Sequence, residues 1–307
     1  MTLSIEKAIT RIPQWTNTSD LKISPLTGGI TNENFRIEVN GDVFVLRIPG
    51  VDTELLGIVR STECAVSQAA GEIGIGPEVF YIIEPEGYLV TRFIEGRQPS
   101  PDELGQSKNI SRVADAIRRV HQMAPISATF SPFRVVEDSA EIARQYKVGF
   151  PDNFDWLIEQ MNAAETALLK SPFTPRICHN DLLNANFLDD GQIRILDWEY
   201  AGMGDPVFDL ANFSSHHEFT DEQDRLLLAG YFGEVTAKNW ARIKLLKLIS
   251  DFREAMWAMV QIGISKLDFN FRGYADTFFA RTTQGMQNPM WQQWLNDASS
   301  DGKIPMS

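Results

Sequence analysis

Three polar side chains, Asp181, Asn186 and Asp197, have the types and the spacing of a magnesium–phosphate site. A strand-like run at 193–196 precedes Asp197, and the turn sequence at 189–191 predicts a hairpin that folds this run back. Such a hairpin brings Asn186 and Asp197 together at one end. Two oxygen ligands for a hard metal ion, with one further carboxylate to serve as a base, are what phosphoryl transfer to a hydroxyl requires.

This segment resembles the catalytic segment of the protein-kinase-like superfamily. There, an H-x-D loop carries the base, and an Asn five residues later and a downstream Asp bind metal. The sequence HND followed by DWEY is similar to the branch of choline kinases and aminoglycoside phosphotransferases, and DWEYAGMGDPVFDLA is most similar to choline/ethanolamine kinases and their bacterial LicA-type relatives. The resemblance implies an ATP-dependent kinase in which Asp181 is the base, His179 braces the catalytic loop, and Asn186 and Asp197 bind Mg²⁺.

Asp209 extends this match, because it resembles a buried Asp that hydrogen-bonds the catalytic loop in the superfamily. Asp and Asn are common in turns, so any one of these residues alone carries little weight. The joint match on a loop–hairpin–helix pattern favours the catalytic interpretation over solvated turns. The neighbouring pair His216-His217 fits no standard zinc spacing, and we interpret it as a polar helix end.

A glycine-containing turn at 27–32 separates two predicted strands and can lay backbone N–H groups over phosphates. Taken alone, a Gly-Gly turn between strands is usually only a turn. The sequence resembles the choline-kinase-type loop G-G-x-T-N, which implies nucleotide-binding roles for Gly28, Gly29, Thr31 and Asn32.

Arg47 lies in the third predicted strand, where choline-kinase-like proteins hold the ATP phosphates with a basic residue. A surface Arg on an edge strand is the alternative. Such a cation needs a carboxylate to orient it, and Glu63 in the predicted helix at 54–72 is preferred over Glu72. In the fold that the chain resembles, the adenine edge is bound by backbone groups at the positions of Arg92, Phe93 and Ile94.

The order of the predicted elements indicates an α+β protein with a two-lobed, protein-kinase-like fold. Residues 1–93 form a β-rich N-lobe that binds nucleotide, and residues 94–307 form a mainly helical C-lobe that holds the catalytic loop, the magnesium site and the acceptor-binding helices. The predicted strands are 21–26, 35–39, 43–48, 79–83 and 88–93. The predicted helices after them are 110–121, 137–148, 153–170, 221–232, 237–262, 272–285 and 288–297.

The segment 251–275 resembles the region in which choline kinases enclose a quaternary ammonium with aromatic rings through cation–π attraction. The matching positions are Trp257 and Tyr274, with Tyr200 from the catalytic segment. A second tryptophan of the family is replaced by Glu254, whose carboxylate suits a cation and also a primary amine that donates hydrogen bonds. Core packing is the alternative role for any single aromatic on this helix. Glu199, which precedes Tyr200, is a further candidate for the acceptor pocket.

Composition restricts the partners. The chain has 307 residues, a net charge of −13 and a pI of about 4.8, which argues against nucleic acid as a ligand. No apolar run approaches the roughly 20 residues that span a bilayer, so we expect a cytoplasmic protein, monomeric or homodimeric, without a membrane partner. A disulfide between Cys64 and Cys178 is not expected.

Choline is the first expected acceptor, as a small amino alcohol. Ethanolamine, thiamine or an aminoglycoside is the nearer alternative, and Glu254 is the feature that favours it. A catalytically silent nucleotide-binding module is the more distant one. Loss of Asp181, Asn186 or Asp197 would support that module, but the sequence contains all three residues.

Overall fold

The computed structural model describes residues 4–16, 18, 20–26, 32–50 and 53–300, which fall into two compact units. The first unit comprises the described residues of Met1–Pro99 together with Asn184–Ala201. The second comprises Ser100–Leu183 and the described part of Gly202–Ser307. The α+β class is confirmed, with strands concentrated in the first unit and helices in the second.

A five-stranded antiparallel sheet forms the core of the first unit, in the order β1-β2-β3-β5-β4. Its strands are β1 (Leu21–Leu26), β2 (Asn32–Val39), β3 (Asp42–Pro49), β4 (Val79–Ile83) and β5 (Tyr88–Arg92). Asn40 and Gly41 connect β2 to β3, with positive φ angles of 52° and 86°. This is the geometry of the two-residue hairpin turn that an Asn-Gly pair predicts.

The first unit also has two helices: α1 (Ile5–Thr10) precedes β1, and α2 (Arg60–Glu72) lies between β3 and β4. The sequence predicts one helix over 54–72, but a 3-10 turn at Thr53–Leu56 precedes α2. Gly57, with φ of 75°, ends that turn, because a left-handed residue cannot continue a right-handed helix. Arg60 therefore begins a new helix, which carries Glu63 in its first turn.

The hairpin that joins Asn186 to Asp197 belongs to the first unit, because its contacts are with residues of that unit. It consists of β7 (Phe187–Asp189) and β8 (Ile193–Ile195), preceded by a 3-10 turn at Asn184–Asn186. The Ile195 N–H donates to the carbonyl of Ile75, and Arg97 exchanges backbone hydrogen bonds with Asp189. The sequence predicts these residues in the segment 94–307, because a contact such as that of Ile195 with Ile75, far apart in the chain, leaves no local signal.

The second unit is built from helices and one short strand pair, β6 (Arg176–Cys178) with β9 (Gly202–Gly204). The pair was not predicted, since three-residue strands are too short to show alternation. The helices are α3 (Pro101–Leu104), α4 (Ser107–His121), α5 (Pro132–Gln145), α6 (Phe154–Leu169), α7 (Pro206–His216), α8 (Asp221–Phe232), α9 (Ala237–Ile264), α10 (Phe271–Met286) and α11 (Trp291–Ala298).

The longest helix, α9, is the centre of this unit. It packs against α5, α7, α10 and α11, and its buried residues include the charged side chains Asp251, Arg253 and Glu254. Burial of a charged side chain is costly unless it is paired, so these three need partners inside the unit. Among the described residues, none of the helices is long and apolar enough to cross a membrane.

Candidate active site

The candidate residues divide between the two units. Those in the first unit are Asn32, Arg47, Glu63, Arg92, Phe93, Ile94, Asn186, Asp197, Glu199 and Tyr200. Those in the second unit are His179, Asp181, Glu254, Trp257 and Tyr274. Gly28, Gly29 and Thr31 lie outside the described residues.

Arg47 is the centre of the first group. Its guanidinium lies 3.1 Å from Glu63 Oε1, 2.5 Å from Asp197 Oδ1 and 3.0 Å from Glu199 Oε2. Only 12% of the side chain is exposed. Burial opposes the charge on Arg47, but Asp197, followed by the two glutamates, raises its pKa above the ordinary value. Arg47 therefore stays positively charged, and three carboxylates lie around its guanidinium.

Glu63, rather than Glu72, is the helix carboxylate that reaches Arg47. Glu63 is buried, and its second oxygen accepts from Arg60 at 2.5 Å. Glu72 is exposed and accepts a hydrogen bond from Gln68. The difference follows from helix geometry, because the two glutamates are nine positions apart, or 2.5 turns, and so face opposite sides of α2.

The hairpin places Asn186 and Asp197 at one end, as the spacing predicts. The Leu196 N–H donates to the carbonyl of Asn186, which ties the two segments together. Asp197 has a φ of 64°, a left-handed conformation that is uncommon outside glycine and is concentrated at functional sites. A carboxylate and an amide are both hard oxygen donors, so this pair fits Mg²⁺.

Glu199 lies with the phosphate-binding candidates. Its carboxylate accepts hydrogen bonds from Arg47 and from the Asn32 amide, at 3.0 and 3.1 Å. Burial, together with the negative charge of Asp197, raises the pKa of Glu199 to about 7. The sequence predicts that Glu199 lines the acceptor pocket. Within the first unit, however, Glu199 contacts Arg47 and Asn32. Tyr200, the next residue, is partly buried.

The residues predicted to bind the adenine edge already make sheet and turn contacts. The Arg92 N–H donates to the Glu78 carbonyl, and the Phe93 N–H donates to the Val43 carbonyl. The Ile94 carbonyl accepts from Gly96. A nucleotide at this position would have to use other backbone groups of the same segment.

The catalytic loop of the second unit is held by α7. The Asp209 carboxylate accepts the backbone N–H groups of His179 and Asn180, at 2.8 and 2.7 Å. Asn180 has a φ of 67°, so the loop turns sharply just before Asp181. Asp209 is in turn held by His121 Nε2 at 3.0 Å, so the buried His121 is a satisfied core residue. The loop is therefore fixed on both sides of its turn.

Asp181 is held from its backbone and from its side chain. Its N–H donates to His179 Nδ1 at 3.2 Å, and its Oδ1 lies 3.3 Å from Arg253 Nη1. Burial raises the pKa of Asp181, and the Arg253 charge opposes that rise. A carboxylate that is fixed in orientation and raised in pKa is suited to accept a proton.

Glu254 is the second carboxylate near this loop. It accepts from Arg253 Nη1 at 2.9 Å and from the Tyr274 hydroxyl at 3.1 Å, and its Oε1 lies 3.6 Å from His216 Nε2. Burial opposes the charge of Glu254, but His216 and Arg253 lower its pKa to about 2. One donor atom from each of Asp181, His216 and Glu254 lies within 4.8 Å of the others.

Two aromatic rings stand beside this carboxylate. Trp257 and Tyr274 have ring centroids 5.9 Å apart and planes inclined by 66°, and the Phe271 ring centroid lies 5.8 Å from that of Trp257. The electron-rich ring faces and the Glu254 carboxylate together suit an organic cation. The structure thus brings three predicted acceptor residues together, namely Glu254, Trp257 and Tyr274.

Sequence reasoning missed Arg253 and His216. Arg253 precedes Glu254 among the buried residues of α9, and two adjacent opposite charges there are the signal that could have identified it. His216 was interpreted as part of a polar helix end, but it is largely buried and lies against Glu254. Sequence separation hides this contact, because α7 and α9 meet only in the folded unit.

Known proteins are similar to this chain in sequence and in fold. LicA of Haemophilus influenzae is 28% identical over 215 residues, which cover 66% of this chain and 61% of that protein. Ethanolamine kinase 2 of Rattus norvegicus is 23% identical over 303 residues, covering 86% and 75% of the two chains. The crystal structure of a choline/ethanolamine kinase family protein from Mesorhizobium loti has a TM-score of 0.83 and 30% identity, with coverage of 95% and 97%.

The chain also matches the phosphotransferase enzyme family over residues 22–246. That range includes the Arg47 cluster, the hairpin and the loop that carries Asp181, and it ends before Arg253, Glu254, Trp257 and Tyr274. The protein-kinase-like fold predicted from the sequence is confirmed. The chain therefore belongs to the phosphotransferase enzyme family, in the branch of the choline/ethanolamine kinases.

Proposed function

We propose that this protein transfers the γ-phosphoryl group of ATP to the hydroxyl of a small cationic alcohol. The observation that carries the proposal is the pairing in the second unit of Asp181 with Glu254, whose donor atoms lie within 4.8 Å. One carboxylate can accept the hydroxyl proton while the other binds the cationic end of the same molecule. Trp257 and Tyr274 beside Glu254 add ring faces for that cation.

Asp181 accepts the proton of the acceptor hydroxyl as the oxygen–phosphorus bond forms and the bond to ADP breaks. The transition state of phosphoryl transfer is loose, so orientation of the hydroxyl contributes more than strong basicity. The Asp209 contacts to the backbone of His179 and Asn180 supply that orientation by fixing the loop. His179 braces the loop through its bond to the Asp181 N–H.

Arg47 and Glu63 orient the phosphates, and Asn186 and Asp197 hold Mg²⁺. The ion, when bound, neutralises charge that develops on the phosphate oxygens. Arg47 contacts Asp197 and Glu199 directly, so a bound phosphate would take over donors that these carboxylates now occupy. We include Asn32 and Glu199 in this group because both lie against Arg47 or its partners.

Choline and ethanolamine are the two acceptors to distinguish. The resemblance to choline kinases and the LicA relatives support choline. Glu254 favours ethanolamine as the second candidate, because its carboxylate accepts hydrogen bonds that a primary ammonium donates and a quaternary ammonium does not. Both acceptors place a hydroxyl and a cation two carbons apart, which suits two carboxylates separated by less than 4.8 Å.

The test is ADP release from Mg-ATP with choline, ethanolamine, thiamine and kanamycin as parallel acceptors. We expect turnover with choline or ethanolamine, and a loss of about 10³-fold or more in Asp181→Asn, because the amide cannot take up the proton. Asp190→Asn, in the exposed turn of the hairpin, is the matched control and should keep native turnover.

Turnover with thiamine or kanamycin alone would preserve the phosphotransferase assignment and overturn the acceptor class. Binding of Mg-ATP without turnover of any of the four would favour the catalytically silent nucleotide-binding module. Unchanged turnover in Asp181→Asn would remove Asp181 from the role of base.

A further inference from the structure

Arg253 is a buried cation that the proposed reaction does not yet use. Its side chain is only 2% exposed, and its guanidinium lies over the ring of Phe130 at 5.9 Å. Nη1 contacts Asp181 Oδ1 at 3.3 Å and Glu254 Oε1 at 2.9 Å. A single donor atom therefore bridges the proposed base and the proposed acceptor-binding carboxylate.

The bridge is not an ordinary helix-surface ion pair. Adjacent residues of a helix are about 100° apart and do not face each other, and the stabilising surface pairs are three or four positions apart. Arg253 and Glu254 nevertheless pair inside the unit, where an unpaired charge would be strongly destabilising. Their placement is explained by the third member, Asp181, which comes from a different part of the chain.

Two carboxylates at this separation repel each other when both are ionised, and repulsion of this kind normally leaves one of them protonated. A protonated Asp181 could not accept a proton, and a protonated Glu254 could not bind a cation. The Arg253 charge lowers the pKa of both groups. The charged or titratable side chains that face this pair are His179 in the loop, His216 on α7, Arg253 on α9 and Tyr274 on α10.

We propose that Arg253 is a positioning residue that fixes Asp181 and Glu254 together and keeps both ionised, so that one small acceptor meets the two carboxylates at once. The inference rests on the proposed function for the roles of those carboxylates. It goes beyond that function by assigning to Arg253 the coupling between recognition of the cation and activation of the hydroxyl.

The first test is the pH profile of kcat/KM for the better amino alcohol at saturating Mg-ATP. In Arg253→Met, the acid limb, which reports ionisation of the base, should move up by about 1–3 pH units, and the KM for ATP should change little. Arg253→Lys keeps the charge and should retain the native acid limb with part of the native kcat. Arg253→Gln is the second neutral variant, in case Met at this position prevents folding.

Arg242→Met is the matched control. Arg242 is on the same helix and equally buried, but its guanidinium pairs with Asp205 at 2.5 Å and donates to backbone carbonyls. It should leave the acid limb at its native pH. A uniform loss of activity in Arg253→Met and Arg253→Gln, with an unmoved acid limb, would overturn the proposal and leave Arg253 with a packing role.

A second measurement needs no turnover. Removing one positive charge raises the pKa of every group facing it, so the folded variant takes up more protons than the native protein. Its loss of thermal stability should therefore be larger at pH 7.5 than at pH 5, by about 3 °C or more. A loss that is equal at both pH values would contradict the proposal.

The two measurements separate this inference from the proposed function. If no amino alcohol is phosphorylated but the stability loss of Arg253→Met depends on pH as expected, the proposed function fails and the charge coupling stands. If an amino alcohol is phosphorylated and neither the acid limb nor the stability difference moves, the function stands and the role of Arg253 fails.

Discussion

Arg47 in the first unit and Arg253 in the second are both cations held by carboxylates, but their surroundings differ. The Arg47 side chain is 12% exposed, and its partner Asp197 is 31% exposed. Arg253 is 2% exposed, and its partner Glu254 is 8% exposed. The first cluster, which we call the accessible cluster, is therefore open at Asp197. The second, which we call the closed cluster, shields its cation and is most exposed at Asp181, whose side chain is 14% exposed.

This difference indicates two uses of the same ion-pair chemistry. In the accessible cluster, Asp197 can exchange its contact with Arg47 for a metal ion, and Arg47 can turn to phosphate oxygens. The cost is modest because solvent reaches the Asp197 carboxylate. In the closed cluster, loss of either partner leaves an uncompensated buried charge, which is strongly destabilising. We therefore expect Arg47 to exchange its contacts during turnover and Arg253 to keep them.

The largest effect should come from the accessible cluster, through Asp197→Asn. The substitution removes the carboxylate that we assign to Mg²⁺, and metal stabilisation of several kcal/mol corresponds to a loss of about 10³ in kcat. The measurement is ADP release as a function of the Mg²⁺ concentration, with Asp190→Asn as the control. A loss below tenfold at saturating Mg²⁺ would show that Asp197 is not a metal ligand.

Arg47→Met sharpens the contrast with Arg253. It should lower kcat/KM for ATP by about 10²-fold, because a preorganised donor to the phosphates is lost, while the acid limb of the acceptor profile stays in place. Arg36→Met, on the neighbouring strand β2 and paired with Glu38, is the control for removing a positive charge from the sheet. An acid limb that moves in Arg47→Met would mean that the two arginines do not have separate roles.

The accessible cluster was largely predictable from the sequence. Arg47 lies in a strand with clear alternation, Glu63 occupies the first turn of α2, and the turn at 189–191 fixes the register that joins Asn186 to Asp197. Each of these signals is local, and local periodicity and turn chemistry are what a single sequence shows most clearly. The orientation of Glu199 toward Arg47 was not predictable, since the left-handed conformation of Asp197 redirects the chain there.

The closed cluster was only partly predictable. Glu254, Trp257 and Tyr274 were identified through resemblance, but Arg253 and His216 were not. Their contacts join α7, the catalytic loop and α9 across 30 or more positions of sequence, and a buried charge has no periodic signature of its own. The strand pair β6–β9 was also not predicted from the sequence. Each of its strands has only three residues, which is too short to show alternation.

A smaller effect should follow from Glu254→Gln, measured with ethanolamine, its N-methyl and N,N-dimethyl forms, and choline. Loss of a charge-assisted hydrogen bond of about 1.5–3 kcal/mol should reduce kcat/KM for ethanolamine by roughly 10- to 100-fold and for choline by less. Glu254→Trp should shift the preference toward choline by restoring a ring face. Glu218→Gln, at an exposed position just after α7, is the control for the lost charge. Equal losses of kcat/KM for all four acceptors would show that Glu254 does not recognise the N–H groups of the acceptor.

The smallest effect concerns stability and tests how closed the second cluster is. Burial disfavours the charged form of His216, but the contact with Glu254 raises its pKa above the ordinary value. A folded-state pKa raised above that of the unfolded chain adds stability that is fully present below about pH 6.5 and is lost as the pH rises through the folded value. Glu254→Gln should therefore cost about 2 °C more in Tm at pH 6 than at pH 8.5. Glu254 itself stays ionised across this range, since its pKa is about 2, so a pH-dependent difference reports His216. An equal loss at both pH values would mean that His216 is neutral in the folded protein, and that Arg253 alone balances the two carboxylates.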